Sequence, residues 1–175
     1  MLYVVDQVTG VTYLDNIVYV VCRRSSTIRL YDTDTHSLFD VPVVIDVTGM
    51  RRPHDIVVCR HDRQLYVADE DCIWRVSVDD HSYVNWLNTQ FNLWSLSLTS
   101  RHLLVTSDEP PTVRQYSTTD KQLLCVVRLP QYVKDVYHAV ETTHCTFVVC
   151  HEGTSQDERQ WAVSELLRFC NVLQH

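Results

Sequence analysis

The sequence predicts an all-β fold of the β-propeller class, because one pair of strands recurs four times along the chain. The first strand of the pair stands at 18–21, 65–68, 103–106 and 146–149, so successive copies begin 47, 38 and 43 residues apart. A second apolar strand follows each one after a short polar stretch, at 28–31, 73–76, 113–116 and 160–163. A β-rich unit of about 40–50 residues is typical of a propeller blade.

The composition agrees with a globular β-protein. Apolar residues make up 45% of the 175 residues and charged residues 21%, which is the balance of an ordinary folded domain. Only three glycines occur, although an all-β chain turns often. We therefore expect Asn, Asp, Ser and Pro to form most of the turns.

Four strands per repeat, lettered A to D from the propeller axis outward, are predicted where the pattern is clearest. In the second repeat they are 55–59, 64–69, 72–78 and 83–87. In the third repeat they are 93–98, 103–107, 113–117 and 123–129.

The two outer repeats are less complete. The first supplies strands B, C and D at 18–22, 28–32 and 41–47, and its strand A is either 2–6 or 11–14. The fourth supplies strands A, B and C at 136–140, 147–150 and 160–164. The apolar spacing then becomes helical over 166–173, which predicts a short C-terminal helix, with a fourth strand D as the alternative.

The repeats together predict one propeller over 1–165 and a C-terminal tail over 166–175. The repeat boundaries are approximately 1–50, 51–90, 91–132 and 133–165. Four blades are the low end for this fold. Either the ring closes with four blades, or the chain pairs with another copy through its unclosed blades, or it is part of a larger six-bladed propeller. A tandem β-sandwich is the structural alternative.

Three segments of the second repeat match a known motif. Residues 52–58 (RPHDIVV) form a proline-led inner strand, followed by 64–69 (QLYVAD) and 73–76 (IWRV). These segments resemble the NHL repeat of six-bladed, TolB-like propellers. Asp55 stands where that family usually has glycine. The resemblance implies protein–protein scaffolding, as in the substrate-recognition end of tripartite-motif ubiquitin ligases, and some NHL propellers bind RNA.

The turns predict two charged ends of the propeller. Strands B and C are joined by loops that carry the candidate protein-interaction residues, and these are acidic: Glu70, Asp71, Asp108, Glu109 and Glu152. The turns between strands A and B lie at the opposite end and carry the alternative basic face, formed by Arg60, Arg63 and Arg101. An acidic face would attract a basic partner.

Net charge and hydropathy limit the partners. The formal net charge of −7 argues against DNA and makes RNA the weaker alternative to protein. No run of 18 apolar residues appears, so no membrane span is predicted. The first residues lack the basic stretch of a secretory signal, which predicts a cytoplasmic protein.

No catalytic or metal-binding pattern stands out. Cys145 and Cys150 flank a predicted strand, whose rise of about 3.3 Å per residue would place them roughly 17 Å apart, too far for one zinc ion. Neighbouring acids such as those at 69–71 point to opposite faces of a strand, so they do not form a glycosidase pair. The seven cysteines are expected to be free thiols. Trp86, on a predicted outer strand, is the best tryptophan candidate for an exposed contact.

These observations favour a non-enzymatic β-propeller that binds another protein, without cofactor or metal. RNA binding through the basic face is the first alternative. The second is a metal-dependent hydrolase of the six-bladed lactonase type, for which the inner strands offer Asp55 and little else.

Overall fold

The computed structural model describes residues 7–34, 43–99, 101–130, 133–142, 146–152 and 161–167. Every regular element within these ranges is a β-strand, and none is a helix; accordingly, no helix there is long and apolar enough to span a membrane. The strands form four antiparallel sheets, each built from consecutive strands. We call the sheets blades 1 to 4.

Contacts divide the chain into two compact units. Unit 1 is Met1–Asn88 and unit 2 is Thr89–His175. Unit 1 contains blade 1, with β1 Val8–Leu14, β2 Ile17–Cys22, β3 Thr27–Asp32 and β4 Val43–Asp46. It also contains blade 2, with β5 Pro53–Cys59, β6 Gln64–Asp69, β7 Cys72–Ser77 and β8 Tyr83–Asn88.

Unit 2 contains the other two sheets. Blade 3 consists of β9 Leu96–Leu98, β10 His102–Asp108, β11 Pro111–Ser117 and β12 Leu123–Arg128. Blade 4 consists of β13 Lys134–Glu141, β14 Thr146–Glu152 and β15 Trp161–Leu167. The all-β class and the blade order predicted from the repeats are confirmed.

The inner strand of blade 1 settles one alternative. It begins at Val8 and ends at Leu14, so it contains the second of the two predicted segments, 11–14. The first predicted segment, 2–6, lies outside the described residues. The strand pairs with β2 over its whole length, with one bulge between Val8 and Gly10.

The predicted C-terminal helix is wrong at Leu166 and Leu167, the two residues of the predicted segment that the structure describes. Leu166 and Leu167 end β15, because they pair with Phe147 and Thr146 of β14. Pairing to a neighbouring strand overrides a local apolar spacing that suits a helix. Residues 168–173 lie outside the described residues.

The fourth copy of the repeat is displaced by one residue from its predicted position. Phe147 and Val149 are fully buried, like Leu65 and Val67 in blade 2, whereas the sequence alignment had matched Leu65 to Thr146. Phe147 is therefore the counterpart of Leu65. Because side chains alternate between the faces of a strand, this shift decides which residues of blade 4 are covered.

Unit 1 is held together by an apolar core between its two blades. Tyr19, Val21 and Ile28 of blade 1 and Leu65 and Val67 of blade 2 belong to one buried cluster. Such fully buried apolar side chains contribute about 1.5–3 kcal/mol each relative to exposure.

Gly10 allows the inner strands of unit 1 to approach closely. A Cβ atom at Gly10 would lie 2.7 Å from the backbone nitrogen of Ile56 and 2.9 Å from the Cα atom of Asp55. Both atoms belong to backbone that cannot rotate away, so only glycine fits where β1 crosses β5.

Unit 2 has an equivalent core between blades 3 and 4. Leu104 and Val113 of blade 3 pack with Ala139, Phe147 and Val149 of blade 4. The same relation between neighbouring blades therefore occurs in both units.

Candidate functional site

An exposed tryptophan marks the candidate site, which lies in unit 2. The side chain of Trp94 is 40% exposed. Its ring meets that of Tyr137 edge to face, with the centroids 6.3 Å apart and the planes at 68°. Large aromatic side chains that remain open to solvent are common anchors of protein interfaces.

The end of β10 holds both aromatic residues in place. The backbone N–H of Trp94 donates to the carbonyl of Thr106 at 3.1 Å. Two residues further on, a carboxylate oxygen of Asp108 accepts a hydrogen bond of 2.9 Å from the backbone N–H of Val136, the residue before Tyr137. The aromatic pair and the Asp108 carboxylate are thus tied to the same short segment.

Tyr137 lies at an irregularity of β13. The register with β14 runs from Val136 opposite His151 to His138 opposite Cys150, so Tyr137 is the extra residue of a bulge in β13. Bulges of this kind turn a side chain away from the regular alternation and are common beside functional sites.

Hydrogen bonds also join the two inner strands beneath the aromatic pair. The Ser95 hydroxyl forms a short hydrogen bond with Nδ1 of His138, and the Ser97 hydroxyl donates to the carbonyl of Ala139 at 2.5 Å. The backbone N–H of Ser95 donates to the Thr106 hydroxyl at 3.1 Å. The site therefore rests on a fixed backbone.

The loop after β10 supplies the charge. Ser107 is fully buried, and its hydroxyl lies 2.8 Å from that of Thr112 and donates to the Pro110 carbonyl at 3.1 Å. These bonds fix the turn that presents Glu109, whose side chain is exposed. We call Trp94, Tyr137, Asp108 and Glu109 the aromatic–acidic site.

The chemistry of this site suits a cation. A carboxylate attracts a Lys or Arg side chain, and the face of a tryptophan ring attracts the same groups through its negative potential. Such a contact contributes about 0.5–1 kcal/mol at an exposed position and more when water is excluded.

The other predicted acidic residues lie elsewhere. Glu70 of unit 1 accepts a hydrogen bond of 3.0 Å from the guanidinium of Arg52, and Asp71 is exposed. Glu152 ends β14, and its side chain lies outside the described part of the chain. The structure thus ties one of the five predicted acids, Asp108, to the residue beside Tyr137, and Glu109 follows it in the same exposed turn. The role of both acids in binding stays a prediction.

Four arginines share the end of unit 1 that carries Glu70 and Asp71. Arg23 and Arg24 follow β2, and Arg51 and Arg52 precede β5. In a four-stranded meander, the connection that leads into the first strand lies at the same end as the loop between the second and third strands. A count of the loops between strands B and C includes Arg23 and Arg24 but leaves out Arg51 and Arg52, so this end is less acidic than that count made it.

The pKa of His54 is affected by two of the same arginines. Burial lowers the pKa of His54, and the charges of Arg52 and Arg23 lower it further. These effects favour the neutral imidazole, although the charges of Asp69 and Glu70 act in the opposite direction.

The predicted basic face is partly neutralised. Arg63 forms a short ion pair with Asp15 and a second one, of 2.7 Å, with Asp79, and these hydrogen bonds raise the pKa of its guanidinium. Arg60 and Arg101 are exposed. Arg63 joins turns of blades 1 and 2, so its charge is already matched within unit 1.

The tryptophan chosen from the sequence is the wrong one. Trp86 is only 2% exposed, because its ring packs edge to face on Tyr66 with the centroids 5.2 Å apart. Trp94 is the exposed one. The sequence offered no distinguishing signal, because each residue has one leucine and one polar residue as its neighbours in a predicted strand.

The described cysteines are free thiols. Cys22, Cys59, Cys72 and Cys125 are buried and Cys150 is half-buried, while Cys145 and Cys170 lie outside the described residues. Within the part of the chain that the structure describes, no three His, Cys, Asp or Glu side chains are grouped closely enough to hold a metal ion.

Cys72 is expected to resist alkylation in the folded chain. Burial, with the nearby charge of Asp69 as the next cause, raises the pKa of its thiol to about 12. At pH 8 only about 1 in 10⁴ of such thiols is the reactive thiolate. Iodoacetamide labelling followed by peptide mass spectrometry should show Cys72 modified far more slowly in buffer than in urea, while Cys150 changes less. Equal rates for Cys72 in both solvents would contradict its burial.

No protein-family model matches the sequence, and no curated protein is significantly similar to it. Solved structures do match. The computationally designed Ika4 protein superposes with a TM-score of 0.65 at 13% identity, over 94% of this chain and 93% of that one.

Natural proteins give matches of the same quality. The WD40 β-propeller domain of Doa1 matches with a TM-score of 0.65 at 18% identity over 96% of this chain. A chain of the nidogen/laminin complex matches with a TM-score of 0.68 at 15% identity over 85% of this chain. This chain spans 56% of the first and 58% of the second. At such identities the likeness concerns the fold, and the fold of this chain is that of a β-propeller.

Proposed function

We propose that this chain is a non-enzymatic β-propeller module that binds another protein, and that it holds a basic segment of that partner at the aromatic–acidic site. The observation that carries the proposal is the exposed Trp94 ring, fixed beside Tyr137 at the end of β10, where Asp108 and Glu109 also lie. The resemblance of the second repeat to NHL propellers supports a scaffold or substrate-recognition role.

The geometry supports a protein partner more than a small ligand. Trp94 and Tyr137 belong to different blades, and each is held by backbone hydrogen bonds around it rather than by a closed cavity. A preorganised aromatic surface loses little conformational entropy when it binds a peptide side chain, because its own residues are already ordered. Charged residues around it raise the association rate and select the sign of the partner's charge.

A lysine-rich peptide labelled with fluorescein provides the test. Trp94→Ala should weaken its binding to the full chain about thirtyfold, because the alanine variant of a central aromatic anchor typically loses about 2 kcal/mol or more. Fluorescence anisotropy at several protein concentrations would measure the change. Glu109→Gln should weaken binding less and flatten its dependence on salt, because exposed charges act through a screened field.

Controls separate the site from general electrostatics. Glu70→Gln removes an acid of the same predicted face from unit 1 and should leave the affinity nearly unchanged. A glutamate-rich peptide should not bind. If Trp94→Ala binds the lysine-rich peptide like the parent chain, the aromatic–acidic site is not the binding surface.

RNA remains the second candidate because of the arginines in unit 1. Arg23, Arg24 and Arg51 are exposed, and among the described residues none of the three has an ion pair within 4.0 Å. A single-stranded RNA oligonucleotide in the same anisotropy assay tests this alternative. Tight RNA binding that is lost when these three arginines become glutamine, with no peptide binding, would make RNA the partner class.

A further inference from the structure

Blade 1 carries exposed apolar residues on the side that faces away from blade 2, and among the described residues of unit 1 no strand of blade 2 packs on that side. Cross-strand pairs place residues on a common face, and one row on this face runs Tyr13–Val18–Tyr31. A second row runs Val11–Val20–Arg29–Val44. Val11 is 56% exposed, Tyr13 44% and Val44 52%, whereas Val20 on the central strand is 9% exposed. We call this the outer face of blade 1.

Among the described residues, blade 4 has a corresponding face on the side away from blade 3, with Val148 and Cys150 half-buried. Phe147 and Val149 face blade 3 and are fully buried, so the residues that alternate with them, Val148 and Cys150, lie on the opposite side of the sheet. Val140 pairs with Val148 and is 40% exposed. We call this the outer face of blade 4.

The two outer faces are the two halves of an interface that already occurs within each unit. Val18 and Val20 hold in blade 1 the strand positions that Leu65 and Val67 hold in blade 2. Leu65 and Val67 are fully buried against blade 1. The outer face of blade 1 therefore has the pattern of a face that receives a preceding blade.

The outer face of blade 4 supplies the other half. With Phe147 as the counterpart of Leu65, Val148 and Cys150 correspond to Tyr19 and Val21 of blade 1. Tyr19 and Val21 are buried against blade 2. The outer face of blade 4 therefore has the pattern of a face that receives a following blade.

We propose that a second copy of this chain covers these faces, with blade 4 of one copy packed on blade 1 of the other. Any copy carries both halves of the interface, so no other partner needs a complementary surface of its own. The contact joins two different patches, and such heterologous contacts form closed rings or continue as open chains. This assembly is independent of the proposed peptide binding, which takes place at another surface.

A complementary pair of charged variants tests the assembly. Val11 of β1 and Val140 of β13 both lie on inner strands, and inner strands of neighbouring blades meet within each unit. We expect the parent chain to self-associate with increasing concentration in sedimentation velocity. Val11→Glu and Val140→Lys should each be largely monomeric, because either one places a charge in the apolar contact.

Mixing gives the decisive result. In the mixture the unmodified outer face of blade 1 in V140K meets the unmodified outer face of blade 4 in V11E. In a closed ring the two substituted faces also meet, with opposite charges. The mixture should form a 1:1 complex that neither variant forms alone. Val84→Glu is the matched control, since Val84 is 47% exposed on β8, the last strand of blade 2, and should assemble like the parent chain.

Three outcomes would overturn the assembly. A parent chain that is monomeric at every concentration has no such contact. If both single variants still self-associate, the contact uses a different surface. If each variant is monomeric but the mixture forms no complex, blade 4 of one copy does not pack on blade 1 of the other. Circular dichroism of each variant is the control for folding. A variant counts in this test only if its spectrum matches that of the parent chain.

Discussion

Replacing Asp69 with alanine is expected to destabilise unit 1 by about 3–5 kcal/mol, since removing one partner of a buried charged network leaves the others unsatisfied. Asp69 ends β6 and is 3% exposed. One carboxylate oxygen accepts the backbone N–H of Arg52 at 2.6 Å, and the other accepts the indole N–H of Trp74 at 3.1 Å. The backbone N–H of Arg51 also donates to this carboxylate at 3.0 Å.

The effect is large because these donors have no substitute acceptor nearby in sequence. The N–H groups of residues 51 and 52 precede β5, so β6 cannot pair with them in the regular ladder. Asp69 extends the ladder by one step with its side chain and thereby fixes where β5 begins. Alanine would leave three partly buried donors without their acceptor.

Urea unfolding followed by circular dichroism would measure the loss, and hydrogen exchange should place it in β5 to β7. Asp69→Asn keeps the size and one carbonyl oxygen, so we expect a smaller loss. Asp71→Ala is the matched control, because this acid of the same turn is exposed and its replacement should cost about 0.5 kcal/mol or less. Equal stability of Asp69→Ala and Asp71→Ala would show that the carboxylate does not hold the strand.

The architecture was predictable from sequence because blades repeat. Strands such as 65–68 combine a continuous apolar run with a fixed distance to the next copy, and both faces of β6 are indeed buried. Because the pattern occurs four times, one irregular copy does not change the predicted order of strands. That order was correct although the fourth copy was placed one residue too early.

The errors arose where one pattern fits two structures. Leu166 and Leu167 have a spacing that suits a helix, but pairing with β14 makes them a strand. Two-residue alternation cannot show which side of a strand meets a neighbouring blade, so it could not distinguish buried Trp86 from exposed Trp94. That distinction depends on packing between elements that are distant in sequence.

The candidate site was half predictable for the same reason. Turn position identified Asp108 and Glu109, because loops after strand B carry charge and lie at one end. It could not identify Tyr137, which reaches the site through a bulge between Val136 and His138. Nor could it show that Arg63 is matched by Asp15 and Asp79, since these residues come together only when blades 1 and 2 pack.

Replacing Trp86 with alanine is the second change with a large expected effect, a loss of about 3–5 kcal/mol of stability. The indole packs edge to face on Tyr66, with the planes at 78°, and both side chains are almost fully buried. Alanine would leave a cavity that the surrounding strands cannot fill, and it would remove the aromatic contact, which itself contributes about 0.5–1.5 kcal/mol.

The pKa of the Tyr66 phenol provides a second measurement, which a general loss of stability would not change. Burial raises the pKa of its phenol to about 12. A cavity that admits water would reduce this desolvation, so the pKa should fall toward the ordinary value of about 10. The change can be followed by ultraviolet difference spectroscopy under conditions where the variant is still folded.

Trp94→Ala is the matched control, because it removes the same side chain from a position that is 40% exposed. We expect it to cost about 1 kcal/mol or less and to leave the titration of Tyr66 unchanged, while it abolishes most peptide binding. Trp86→Ala should do the reverse, weakening the fold without touching the aromatic–acidic site. If urea unfolding ranks the two variants in the opposite order, Trp86 is not part of the core and the division of roles between these two tryptophans is wrong.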